Sequence, residues 1–91
     1  VSGTGKDAVK ELNIQIEDSN AEAKVYPKKI AFNVIPQCDI FLENDFTKEE
    51  MKVAWETKKI LDPNIEVTAT CVRVPVVNGH SEAVFLRTKN L

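Results

Sequence analysis

From Phe46 to Asn64 the chain carries a full specification for one helix: a start, a body and a stop. Thr47 is a residue whose hydroxyl accepts a backbone N–H at a helix N-cap. Glu50, three residues on, is placed to return the bond, which makes a capping box. Phe46 before the cap and Met51 at the fourth helical position match a hydrophobic staple. Met51, Ala54, Trp55 and Leu61 supply an apolar stripe, and Glu49, Lys52, Glu56 and Lys59 share the opposite face. Asp62-Pro63-Asn64 ends the helix, because proline has no N–H to continue the ladder.

The remaining elements are read around that helix. Lys6 to Leu12 carries good helix formers, with Ala8, Val9 and Leu12 at helical spacing, after a glycine-containing turn at Ser2-Gly3-Thr4-Gly5. Residues 13–26 are polar apart from an Ile14, Ile16 alternation, and Asp18-Ser19-Asn20 reads as loop. Ile30 to Ile35 is β-branched and apolar enough for a strand that Pro36 ends or places at an edge. Ile40-Phe41-Leu42 continues the apolar character until Glu43-Asn44-Asp45 breaks it. Glu66 to Val76 reads as a strand, with Val67, Ala69, Cys71 and Arg73 alternating onto one face. Asn78-Gly79 is a hairpin signal, and Ala83 to Thr88 then returns as an antiparallel strand. The order predicts an α+β fold, a mixed β-sheet with helices on one face.

Ninety-one residues make one small domain, and the hydrophobic and charged fractions of 43% and 29% are those of an ordinary globular chain. A net charge of -2 argues against a nucleic-acid partner, which would call for a basic stripe. No apolar run approaches the roughly 20 residues of a membrane helix, and no signal peptide is visible at Val1. Met51 is the only methionine and the chain opens inside a turn, so the expectation is an internal piece of something longer. An engineered boundary, proteolysis or maturation would each explain that. Cys38 and Cys71 form neither a disulfide framework nor a zinc pattern, and no metal site is expected. Two reduced thiols in a cytoplasmic compartment follow.

Several residues could carry chemistry. Arg73 is a charged group on an apolar strand face, so it is paired, exposed at a strand end, or holding a ligand. Its planar fork suits a carboxylate or phosphate, and a structural salt bridge is the competing reading. His80, the single histidine, follows the Asn78-Gly79 turn; its ordinary pKa near 6.5 suits a general acid or base, but solvated histidines are common beside turns. Glu49 and Lys52, three apart, read locally as a solvated helical ion pair contributing about 0.2–0.5 kcal/mol. Gly3-x-Gly5-Lys6 lacks the spacing of either nucleotide fingerprint.

Taken together, three strings resemble the aspartate-semialdehyde dehydrogenase family: VSGTG at residues 1–5, IAFNVIPQCDIFLENDFTKEEMK at 30–52, and TATCVRVPVVNGHSEAV at 68–84. They occur in the family's order, the last is the most specific, and residues 13–26 show the least likeness. The resemblance implies part of a glyceraldehyde-3-phosphate dehydrogenase-like C-terminal domain, used for catalysis and dimerisation. It further implies an NADPH-dependent reduction of β-aspartyl phosphate to aspartate semialdehyde with release of phosphate, on the route to lysine, methionine and threonine. Arg73 falls at the family's clamp for the substrate α-carboxylate, and His80 at its acid/base histidine. Glu49 matches the carboxylate that meets the substrate amino group, and Lys52 the lysine of the phosphate site. Ser2 and Gly3 resemble a loop near the nicotinamide end of NADP, and a homodimer or larger assembly is implied.

Departures from the family pattern limit what the chain does alone. The family's nucleophile lies in an Asn-Cys-Ser/Thr type motif, whereas Cys38 sits in Pro36-Gln37-Cys38-Asp39 and Cys71 two residues before Arg73. The glycine fingerprint of the dinucleotide-binding domain and the glutamine ahead of the serine-glycine loop are absent. Residues 1–91 are therefore expected to be one partial domain that is inactive alone. Two other readings remain: a non-catalytic α+β binding or dimerisation module on the same scaffold, and another phosphate-handling dehydrogenase.

Overall fold

The structure is a computed structural model that describes residues 1–90. A 3-10 turn, Ser2–Thr4, leads through Gly5 into helix α1 (Lys6–Glu17), and helix α2 spans Lys48–Ile60.

Helix α1 runs a full turn further than its apolar spacing predicts. The buried face is Ala8, Glu11, Leu12 and Gln15, regular helical spacing in which half the positions are polar. Those polar groups are buried because they serve the loop that follows. The Glu11 carboxylate accepts the backbone N–H groups of Lys24 (2.5 Å), Val25 (2.9 Å) and Tyr26 (3.4 Å). Gln15 Oε1 accepts those of Ile30 (3.0 Å) and Ala31 (3.1 Å). Ile14 and Ile16, which alternate like strand residues, stand half-exposed on the outer side.

The core gathers between α1 and this loop. Val1, Ala8, Leu12, Tyr26, Ile30 and Ile35 form one buried cluster. Leu12 and Ile30 are fully buried, and each contributes about 1.5–3 kcal/mol.

Helix α2 begins and ends as its sequence dictates. Thr47 Oγ1 accepts from Glu50 N (3.3 Å), and Glu50 Oε1 accepts from Thr47 N (2.8 Å). Leu61 closes the last turn on Thr57 O at 2.9 Å, just ahead of Pro63. Its apolar stripe is only partly covered: Ala54 is buried, while Trp55 and Leu61 are exposed.

The expected sheet is not formed as strands among the described residues, where the pairings are two isolated antiparallel bridges, Ile35 with Arg73 and Phe41 with Thr47. Ile30 to Asn33 is a turn, with Asn33 N on Ile30 O at 3.1 Å and Phe32 at φ 58°, and only Ile35 pairs as a strand residue would. It cannot be a strand because Gln15 has taken the N–H groups of Ile30 and Ala31 that a ladder would need. Residues 66–73 keep the expected alternation, with Val67, Ala69, Cys71 and Arg73 half-buried and Thr68, Thr70 and Val72 exposed, and the chain then turns at Pro75, where Val76 N donates to Val74 O at 2.8 Å. Ala83 to Thr88 forms no hairpin with them. A two-residue hairpin turn of the Asn-Gly type needs positive φ at both central residues. The positive values fall instead at Gly5, Phe32, Asp39 and Asp45. No helix among the described residues is long and apolar enough to cross a membrane.

Candidate functional site

Segment 71–80, which bends at Pro75, Val77 and Asn78, is the spine that carries Arg73 and His80, with Ser2 and Gly3 against its far end. Arg73 is fixed through its backbone, which exchanges both hydrogen bonds with Ile35 (2.8 and 2.9 Å). Its guanidinium carbon lies 5.8 Å from the centroid of the Tyr26 ring, within cation–π range. Tyr26 is itself buried, and its hydroxyl shares a 2.6 Å hydrogen bond with Thr4 Oγ1.

The N-terminal turn lies along the far end of the same segment. Val1 N donates to Val76 O at 2.6 Å, and Gly79 N donates to Ser2 Oγ at 3.2 Å. A side chain added at Gly3 would meet His80 Nε2 at 3.9 Å, so the imidazole stands directly beside Gly3. Ser2, Gly3 and His80 are thus brought together, and His80 is exposed.

The start of α2 approaches from the other side. Glu50 Oε2 accepts from Cys71 N at 2.9 Å, latching the helix to the spine. Hydrogen bonds from the Thr47 and Cys71 backbones hold the Glu50 carboxyl below the usual carboxylate value. Burial pushes the Cys38 thiol up, and the positive charge of Arg73 opposes that rise while Glu49 and Glu50 add to it. The Cys71 thiol is raised in the same way, by burial first and then by Cys38, Glu50 and Glu49, against Arg73. Arg73 and Glu49 therefore both act on the two thiols, and both are half-buried. Lys52 stands on α2 three residues beyond Glu49 and is exposed.

Two side chains at this site carry roles that sequence reasoning did not assign. Glu50 read as a capping residue alone, although a carboxylate offers about four acceptor sites and the cap uses one oxygen. Tyr26 lies in the stretch with no pattern, and only its contacts single it out. Two shallow surface grooves lie along α1; Ser2, Gly5 and Lys6 help line one, Glu11, Lys24 and Val25 the other. Of the expected site residues, Ser2 alone borders either of them.

Comparison with known proteins gives this arrangement its context. Residues 1–91 match the family model described as semialdehyde dehydrogenase, dimerisation domain. The chain belongs to that family. An aspartate-semialdehyde dehydrogenase of Shewanella violacea is 59% identical over 93 residues, covering 97% of this chain and 28% of the relative. One from Bacillus subtilis is 47% identical over 98 residues, covering 94% of this chain and 28% of the relative. Among solved structures, aspartate semialdehyde dehydrogenase II from Vibrio cholerae, complexed with ASA, superposes with a TM-score of 0.80 at 51% identity. That match covers 82% of this chain and 24% of the other. Semialdehyde dehydrogenase family membership thus extends to the fold, and the chain spans just over a quarter of the curated relatives' length.

Proposed function

We propose that this chain is the substrate-gripping and proton-transferring part of a longer, cytoplasmic, NADP-linked aspartate-semialdehyde dehydrogenase. Residues 1–91 would be one partial domain, with the dinucleotide-binding domain elsewhere in the longer protein. The observation that carries the reading is the setting of Arg73. Its backbone is fixed by the Ile35 bridge and its guanidinium is held over a ring, and a cation so held keeps its in-plane N–H donors for an anion. The competing salt-bridge role would pair it with a carboxylate instead.

In this reading Arg73 takes the substrate α-carboxylate and Glu49, half-buried in the first turn of α2, takes the α-amino group. Lys52, exposed on the same helix, supplies the cation for phosphate. His80 takes the proton from an attacking thiol and returns it to the substrate oxygen, the ordinary work of an imidazole near neutral pH. The thiol itself comes from elsewhere in the longer protein. A nucleophilic cysteine needs a depressed pKa, and burial raises both Cys38 and Cys71. For NADP the residues present fit one edge only: the Ser2 hydroxyl, already accepting from Gly79, keeps its proton to donate, and Gly3 adds no bulk beside His80. NADP supplies the hydride when bound. Residues 66–76 and 83–88 would complete a mixed sheet with strands of the longer protein, in a homodimer.

The exposed Val84, Phe85 and Leu86 favour a second reading, a non-catalytic dimerisation module on the same scaffold. Arg73→Lys in the full-length protein separates the two. Hydrogen bonds to charged groups contribute about 1.5–3 kcal/mol, so loss of the fork lowers kcat/KM by roughly ten- to hundredfold with Tm nearly unchanged. A lowered Tm with near-normal kcat/KM would mark Arg73 as structural and end the clamp reading.

A further inference from the structure

We infer that Tyr26 is a positioning residue for Arg73, and that Thr4 holds Tyr26 in that role. The inference rests on the reading of Arg73 as the carboxylate-binding cation. Arginine has a long, flexible side chain, and fixing its backbone at the Ile35 bridge leaves the tip free to sample many rotamers. A ring face 5.8 Å from the guanidinium carbon restricts that sampling only if the ring itself cannot move. Tyr26 meets the condition at every point. It is 7% exposed, packed in the cluster with Leu12, Ile30 and Ile35. Its backbone N–H is taken by Glu11 Oε2 (3.4 Å), and the preceding two N–H groups by Glu11 Oε1, so helix α1 anchors the segment. The far end of the ring is pinned by the 2.6 Å bond between its hydroxyl and Thr4 Oγ1.

Thr4 also connects two parts of the site. It belongs to the same three-residue turn as Ser2 and Gly3, which contact Gly79 and stand beside His80. The Tyr26 hydroxyl therefore ties the platform under Arg73 to the turn that flanks the histidine. A phenylalanine would supply the ring face without that tie.

The test uses steady-state kinetics of the full-length protein with aspartate semialdehyde, phosphate and NADP. Tyr26→Leu removes the ring face and should raise KM for aspartate semialdehyde about two- to fivefold, with kcat unchanged. Tyr26→Phe restores the ring and most of the affinity. Thr4→Val, on an exposed turn, should give the same small residual rise in KM as Tyr26→Phe, and the double variant no more than either. With Arg73→Ala as background, Tyr26→Leu should add nothing. An unchanged KM in Tyr26→Leu, or the same rise with and without Arg73, overturns the inference. Should Tyr26→Leu fail to fold, Thr4→Val and Tyr26→Phe decide: normal KM in both overturns it. Arg73→Ala with normal KM would instead defeat the carboxylate reading, whereas a raised KM there with normal Tyr26 and Thr4 variants defeats the positioning role alone.

Discussion

Gly5 stands at φ 116° and ψ -174°, the joint between the N-terminal turn and α1. That combination belongs almost only to glycine, because a Cβ collides with the flanking backbone whatever space surrounds it. Nothing lies within 4 Å of where a Cβ would go, so the penalty is purely conformational. Gly5→Ala should therefore destabilise the chain by about 1–3 kcal/mol in urea unfolding. Gly3→Ala is the contrast: its new methyl makes ordinary contact at 3.9 Å and its φ is not positive, so it should fall within about 0.5 kcal/mol. Equal losses at the two positions would show that the turn, and not the Gly5 backbone, sets the effect.

At the scale of elements, α2 and α1 differ in how they are stabilised. Helix α2 announces itself through Thr47 and Glu50, whose bonds are local and recur wherever that spacing occurs. Glu50 goes further by accepting from Cys71 N, so one carboxylate both caps a helix and holds the spine of the site. These hydrogen bonds depress its folded pKa below the ordinary 4.5. The stability it contributes is then present above the unfolded value and lost as pH falls through the folded one. The expected outcome for Glu50→Gln is a lower Tm at neutral pH and a shallower fall of Tm on acidification below pH 4.5. Parallel Tm curves for the two proteins over that range would refute the assignment. Helix α1 carries no comparable side-chain cap and is secured through Glu11 and Gln15, whose partners lie 13 to 16 residues away. Each loop N–H left without such a partner costs about 1–3 kcal/mol.

The whole molecule is flatter and wider than a self-sufficient domain. Its radius of gyration is 15.9 Å, with extents of 52 × 31 × 18 Å, against about 12 Å for a compact chain of this length. A slab of that shape leaves apolar groups uncovered: Phe85 is 96% exposed, between exposed Val84 and Leu86. Uncovered apolar surface of this kind associates. The isolated 91-residue chain should form dimers or larger species, and Phe85→Asp should weaken them. Sedimentation that returns only monomer at millimolar concentration would contradict this. Activity belongs to the same scale: because the attacking thiol is proposed to lie elsewhere, the isolated chain should show no phosphate-dependent oxidation of aspartate semialdehyde. Turnover above background would return Cys38 and Cys71 to consideration.

Sequence alone was enough for features written within a few residues: the capping box at Thr47 and Glu50, the stop at Pro63, and the alternation of Val67, Ala69, Cys71 and Arg73. Each is set by bonds or periodicity inside one segment. The family strings also single out Arg73, His80, Glu49, Lys52, Ser2 and Gly3 one by one, whereas the placement of Gly3 beside the His80 imidazole is a contact that only the structure gives. What needed the tertiary structure is whatever depends on who accepts a given N–H. Ile30 to Ile35 has strand composition, yet Gln15 takes its donors and it turns. Asn78-Gly79 has hairpin composition, yet its φ values and the contact with Ser2 send the chain elsewhere. Glu11 and Gln15 look like exposed helical polar residues, but are buried because a distant loop offers them its backbone. Local pattern specifies what a segment can do, and competition for its hydrogen-bonding groups across the fold selects which of those it does.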